Sequence, residues 1–166
     1  MGLHRNEIRI KVQIMRYATI QELKTPLQVG DTVIHGFGHA GKITEITPGI
    51  YRIKDKGFDQ GDGQDVVSFA ANEIGIIPLT EDLLLRNGFW YGDSDKSMRV
   101  IEWHGSAADS PHINMIREDD RNGFPSWTVQ VRPAKMSSYD ETSNVQFFHE
   151  LQRIISDNRI VKNLKV

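Results

Sequence analysis

Cysteine is absent from all 166 residues. Disulfides, thiolate nucleophiles, Cys-ligated zinc and iron–sulfur clusters are therefore excluded, and an intracellular chain is the default expectation. Long apolar runs are also missing: none approaches the ~18 residues of a membrane helix, and no signal-peptide pattern is recognisable. A basic surplus is missing too. Twenty Lys and Arg stand against 22 Asp and Glu, a net charge of −2. That weighs against a general nucleic-acid coat or a membrane-surface protein, both of which need positive charge, and leaves room only for a local basic patch.

What is present supports a real core. Hydrophobic residues make up 39% of a chain whose length suits one domain or two very small ones. Residues 1–14 alternate apolar and polar positions (Ile8, Ile10, Val12 and Ile14 against Glu7, Arg9, Lys11 and Gln13), which predicts a half-buried strand. The alternative is an upstream extension, with Met15 as a second start. Residues 18–24 suit a short helix stopped by Pro26. Short strands are expected over residues 29–35, 42–46, 50–54, 66–69 and 75–77. Turns fall at 36–41 and at Pro48-Gly49, and a Gly- and Asp-rich loop at 57–65. So many strands in so short a stretch predict a small barrel of the SH3 or Tudor kind.

The period changes after Pro78. Thr80 is a suitable N-cap, Glu81 and Asp82 favour the first turn of a helix, and Gly88 after Asn87 stops it. Strands follow over 98–104, 112–118 and 127–132, separated by loops at 105–111 and 119–125, as in an antiparallel meander. A polar stretch, 137–144, leads to a closing helix over 145–157 with Phe147, Phe148, Leu151, Ile154 and Ile155 at helical spacing. The fold class expected is α+β. Residues 1–26 form an N-terminal extension with a strand and a short helix, 27–78 an SH3-like β barrel, and 79–166 an α-β-β-β-α unit with a short antiparallel sheet.

Several motifs invite chemistry. Gly36, Gly38, Gly41 and Lys42 fit both a dinucleotide pattern and most of a P-loop. Either would need a helix right after the glycines, to aim free N–H groups at a phosphate. Here a strand follows, and Ile43 stands where a magnesium-binding Ser or Thr belongs, so a strand-connecting turn is the better reading. The same stretch resembles the strand pair of Tudor-like and KOW-like barrels, which bind proteins or nucleic acids. His35 and His39 have helical metal spacing in a stretch too rich in glycine for a helix. His104 and His112 flank a loop and can meet at a hairpin mouth; with Ser106 or Ser110 they make a hydrolase triad only on paper. Asp59, Asp62 and Asp65 crowd one loop, but Gly61 and Gly63 replace the ligands of a calcium loop. His149 is read as a hydrogen-bonded core histidine. No cofactor and no metal is expected.

Pro78, Leu79, Thr80 and Glu81, then Leu84-Leu85, then Asn87-Gly88-Phe89, together with Phe148-His149-Glu150-Leu151-Gln152, resemble the signature of a family of small proteins from Bacteroidetes genomes and their phages. The resemblance spans about residues 27–156. The chain departs from it at Glu150, where an amide is usual, and in its tail. It implies a gut phage or prophage setting, in the cytoplasm of a bacterial host, and carries no catalytic residue.

Two function classes follow. The first is a non-enzymatic phage accessory protein that binds and neutralises a host factor or a small signal such as a nucleotide, in counter-defence. The second is a nucleic-acid- or polymerase-contacting SH3/Tudor-like module, which the acidic balance disfavours; an unrecognised hydrolase ranks last. The partners expected are a host protein or a small ligand, with no membrane, and self-association left open. The binding surface expected comprises Trp90, Tyr91 and Trp103, with Arg99 and Arg132 supplying charge. Core packing is the rival account of those rings. A second candidate patch is His35, His39 and Lys42.

Overall fold

A computed structural model describes residues 16–92 and 100–166. The strand expected over residues 1–14 and the site residue Arg99 lie outside the described residues. The described chain is mixed α and β: two antiparallel sheets, of four and five strands, and two α-helices.

The first sheet is a meander of β1 (Thr32–Ile34), β2 (Ala40–Thr47), β3 (Ile50–Lys54) and β4 (Val66–Ala70). Alternation sends Val33, Ile43, Ile53 and Phe69 into its core. Pro48 and Gly49 close the β2–β3 hairpin, with Gly49 at φ +74°. The Gly36–Gly38 stretch turns between β1 and β2, and Ala40 and Gly41 already belong to β2, so no helix follows the glycines. The sheet is open, not a closed barrel. After β4 a 3-10 turn (Ala71–Glu73) returns the chain, but the next residues touch three partners in succession: Gly75 bridges Ile34, Ile76 bridges Ala18, and Pro78 bridges Phe147. They do not run along β1. The helix expected over 18–24 shrinks to one 3-10 turn, Ile20–Glu22, where the Glu22 carboxylate accepts from Thr19 N at 2.7 Å. Pro26 disfavours helical φ/ψ at Thr25 and leaves too little chain for an α-helix.

The second sheet has five strands, not the three expected: β5 (Trp90–Tyr91), β6 (Val100–His104), β7 (His112–Arg121), β8 (Phe124–Arg132) and β9 (Asp140–Val145). The loop expected at 119–125 contracts to a two-residue turn, because Asn122 and Gly123 both take positive φ (+54° and +81°). The β9 strand is an exposed edge with only Val145 buried, so its polar sequence carries no alternating signal. Helix α1 (Glu81–Arg86) starts where Thr80 Oγ1 accepts from Leu83 N at 3.2 Å and stops at Gly88, φ +81°. Helix α2 (Phe148–Asp157) begins three residues later than expected, since Glu150 Oε1 accepts from Gln146 N and Phe147 N and holds them outside the helix.

Both helices lie on the inner face of the second sheet. Leu83, Leu84, Phe148, Leu151 and Ile155 pack there with Ile101, Ile113, Met115, Trp127 and Val129. The two cores interleave across the expected 78/79 boundary: Ile34 and Ile77 join this cluster, while Phe124 and Phe147 join that of the first sheet. Helix α2 is also tied to β1 by polar contacts, Gln152 Oε1 accepting from Thr32 N at 3.1 Å and Gln152 Nε2 donating to Thr32 Oγ1 at 2.9 Å. Among the described residues no helix is long and apolar enough to cross a membrane.

Candidate functional site

The five-stranded sheet divides the first expected patch between its two faces. Trp90 pairs with Glu102 and Tyr91 with Ile101, so these adjacent rings point to opposite sides. Trp103 shares the inner side. It is half-buried, packs against the main core and carries the Lys162 ammonium 4.8 Å from its ring centroid. Burial lowers the Lys162 pKa, and its Nζ donates to Asn87 O at 2.7 Å. Tyr91 hydroxyl donates to the Glu81 carboxylate at the start of α1, which raises the phenol pKa. Trp103 and Tyr91 thus stand on the helix side, Tyr91 with 56% of its surface exposed, so the sheet does not bring the three rings onto one face.

Trp90 and Arg132 stay on the outer face, where His104 and His112, paired from the sequence, and Tyr139 and Glu102, which were not, join them. Registers place His104 beside His112 and His112 beside Arg132. Trp90 meets His104 edge to face at 4.9 Å, the two histidine rings lie 5.7 Å apart, and Tyr139 hydroxyl lies 3.1 Å from His112 Nδ1. Trp90 Nε1 donates to Glu102 Oε1 at 3.2 Å, and Glu102 Oε2 lies 3.9 Å from His112 Nε2. That nitrogen is buried without a hydrogen-bond partner among the described residues, and burial lowers the His112 pKa. The meeting of His104 and His112 was legible from their flanking positions. The part of Tyr139 was not, since it sits in a polar stretch distant in sequence. Ser110 is not aimed at the histidine pair: its Oγ accepts from Ala107 N at 2.9 Å inside its own loop.

The second expected patch is also split. Alternation puts Lys42 on the face of β2 opposite to His35, beside α2 and the C-terminal tail. His35 and His39 come together, with ring centroids 6.1 Å apart. Phe37 N–H donates to His35 Nδ1 at 3.3 Å, which leaves Nε2 as the protonated nitrogen, donating to Asp55 Oδ2 at 2.8 Å. Asp55 Oδ1 accepts from Gly57 N at 3.0 Å; this bond, with the one from His35, holds the carboxyl below its usual range. Around the pair stand Phe69, stacked on His35 at 5.2 Å, Phe58 at 4.7 Å, and Phe37 at 5.8 Å edge-on. Phe37 is 68% exposed. His35, Phe37, His39, Asp55 and Phe58 line an open cleft of about 700 Å³ between the β1–β2 and β3–β4 loops, while Phe69 is buried against His35. A more apolar cavity of about 290 Å³, walled by Tyr17, Ile77, Leu83 and Phe124, holds none of the residues selected from sequence.

The remaining candidates resolve plainly. Asp59 Oδ1 accepts from Gly61 N and Gly63 N at 2.8 and 3.0 Å, and Asp65 pairs with Lys54 at 3.5 Å, so this acidic loop is held by its own groups. His149 is buried as expected, but both ring nitrogens lack hydrogen-bond partners among the described residues. Among the described residues, no three His, Cys, Asp or Glu side chains cluster closely enough to hold a metal ion. Compared with known proteins, the chain matches no family model, no curated protein and no solved structure.

Proposed function

We propose that this chain is a non-enzymatic binding protein whose first sheet is an SH3-like recognition module for a segment of another protein. The observation that carries the reading is the exposed Phe37 ring, held at the mouth of a cleft lined by the buried His35, hydrogen-bonded to Asp55, and by Phe58, with Phe69 buried against His35. A large aromatic left in solvent on a fixed support gives contact area at low entropic cost. The strand order supports an SH3-like description: four meandering strands, then a 3-10 turn and a return to β1 at Gly75. The cleft lies between two of the connecting loops of that meander. The phage setting implied by the resemblance gives the binding a purpose, the capture of a host factor in counter-defence. The cleft walls carry apolar groups, two histidines and a carboxylate but no Lys or Arg, which favours a protein segment over a nucleic acid.

The test compares proteins retained from a bacterial host lysate by the wild type and by Phe37→Ala, a change at an exposed ring that leaves the core intact. Partners held by the wild type and lost by the variant, at unchanged melting temperature, are the expected result. Partners retained equally by both would move the site elsewhere. Retention of nucleic acid that high salt abolishes would favour the nucleic-acid-contacting module instead.

A further inference from the structure

We infer that Arg132 and Lys135 form a binding site for a phosphoryl group on the outer face of the five-stranded sheet, independent of the aromatic cleft. Three of the described arginines are half-buried: Arg117, Arg132 and Arg153. Two of them have a carboxylate to themselves, Arg117 with Asp120 and Arg153 with Asp31. Arg132 has none among the described residues. Its guanidinium makes one long hydrogen bond, Nη2 to Ser110 O at 3.4 Å, and lies 6.0 Å from the Tyr139 ring. A guanidinium that loses part of its hydration without gaining a counter-charge is unfavourable by itself, and an anion from outside offsets that cost.

The surroundings suit such an anion. Arg132 opens into a cavity of about 380 Å³ that Lys135, Ser137 and Asp109 also line. Lys135 takes a left-handed backbone, φ +61°, and its N–H donates to Asp109 O at 3.0 Å, which pins the loop after β8 to the loop before β7. Side chains with φ in this region are uncommon, and here the conformation fixes the loop that carries the lysine beside the arginine. The register places His112 and His104 in the same row on the two neighbouring strands, with the Glu102 carboxylate 3.9 Å from His112 Nε2. Asp109 brings the one carboxylate of the cavity, leaving two cations against it. Two cations with the hydroxyls of Ser137 and Tyr139 nearby offer more donors than a carboxylate takes up, and the oxygens of a phosphoryl group use them. The phosphoryl group is either free phosphate or the ester end of a ring-bearing ligand. In the second case the ring lies along the row over His104, the exposed histidine.

The experiment titrates inorganic phosphate into the full chain at physiological ionic strength, followed by NMR of the backbone and arginine Nε signals. Saturable shifts at Arg132 and Lys135 are expected. Arg132→Gln weakens phosphate about tenfold, as expected for loss of a charge-assisted contact, while Arg52→Gln leaves it unchanged. Circular dichroism checks that the variants fold, and Lys135→Ala, at an exposed side chain, carries the same test if Arg132→Gln does not. Adenosine monophosphate is the second probe. Tighter binding than phosphate, reduced to the phosphate level by His104→Ala, identifies an aromatic phosphomonoester; equal binding identifies free phosphate. Acetate binding as tightly as phosphate would overturn the phosphoryl assignment. Absence of saturable shifts, or equal weakening by Arg52→Gln, would overturn the site.

Discussion

Arg153 Nε donates to Asp31 Oδ1 at 3.0 Å, joining the last helix to the residue before β1 across 122 positions of sequence. The Asp31 side chain is only 4% exposed, and its Oδ2 also accepts from Gln28 N at 2.7 Å. Removing the arginine leaves a buried carboxylate with one backbone donor. Arg153→Ala is therefore expected to cost about 3–5 kcal/mol in urea unfolding, because an uncompensated buried charge costs more than the pair contributes. Asp31→Asn in the same background recovers part of the loss. A cost below about 1 kcal/mol, the range of an exposed pair, would show that this contact is not holding the helix to the sheet.

Near that pair, His149 sets an acid limit on stability. Its ring lies parallel to Phe147 at 6.1 Å, and burial pushes its pKa from 6.5 to about 4. The native state keeps the ring neutral, while the unfolded chain takes up a proton below about 6.5. Its contribution is thus fully present above that pH and is lost progressively as pH falls towards 4, by at most about 3 kcal/mol. Glu150, whose pKa burial raises, works in the opposite sense and stabilises the fold as pH falls. The loss of unfolding free energy between pH 7 and pH 4.5 in the wild type should shrink or reverse in His149→Leu, where only the opposite Glu150 contribution remains of this pair. An unaltered pH slope in that variant would assign the acid sensitivity to other groups.

The sequence made some elements legible and hid others for identifiable reasons. Helix α1 carries its own signals, the Thr80 cap and the Gly88 stop, and the β2–β3 hairpin carries Pro48-Gly49. Strand β5 has only two residues, too few to show a period, and β9 is an exposed edge. The Asn122-Gly123 dipeptide was a readable hairpin signal masked by the acidic run before it. Site residues fared according to distance along the chain. His35 with His39, and His104 with His112, are near neighbours and were paired from the sequence. Asp55, Phe58 and Tyr139 reach their partners through sheet pairing, which no local pattern encodes.

Gly41 distinguishes a packing glycine from a phosphate-cradling one. A Cβ there would lie 2.4 Å from Ile53 Cγ2 and 3.0 Å from Lys54 O, whereas at Gly36 the nearest atoms are at 3.6 Å. Gly41→Ala forces β2 away from β3 and is expected to cost about 1–3 kcal/mol, the range for overpacking a core. Gly36→Ala should stay within about 0.5 kcal/mol of the wild type. Thermal melts of the two variants decide the matter, and equal melting temperatures would contradict the close approach of β2 to β3.

Trp90 and Trp103 test the division of the sheet into two faces. Trp103 packs against the core with Lys162 over its ring, and Trp90 stands 36% exposed on the other side, held by the Glu102 hydrogen bond and the edge of His104. Trp103→Ala removes half-buried apolar area and a cation–π contact, and should cost about 2–3 kcal/mol, below the full figure for a buried tryptophan. Trp90→Ala removes one hydrogen bond at an exposed edge and should cost about 1 kcal/mol or less. Chemical denaturation of both variants gives the ordering, while NMR shifts at His104 in Trp90→Ala report the lost ring contact directly. Equal destabilisation would mean that Trp90 also supports the fold. A larger loss for Trp90 than for Trp103 would reverse the assignment of inner and outer faces.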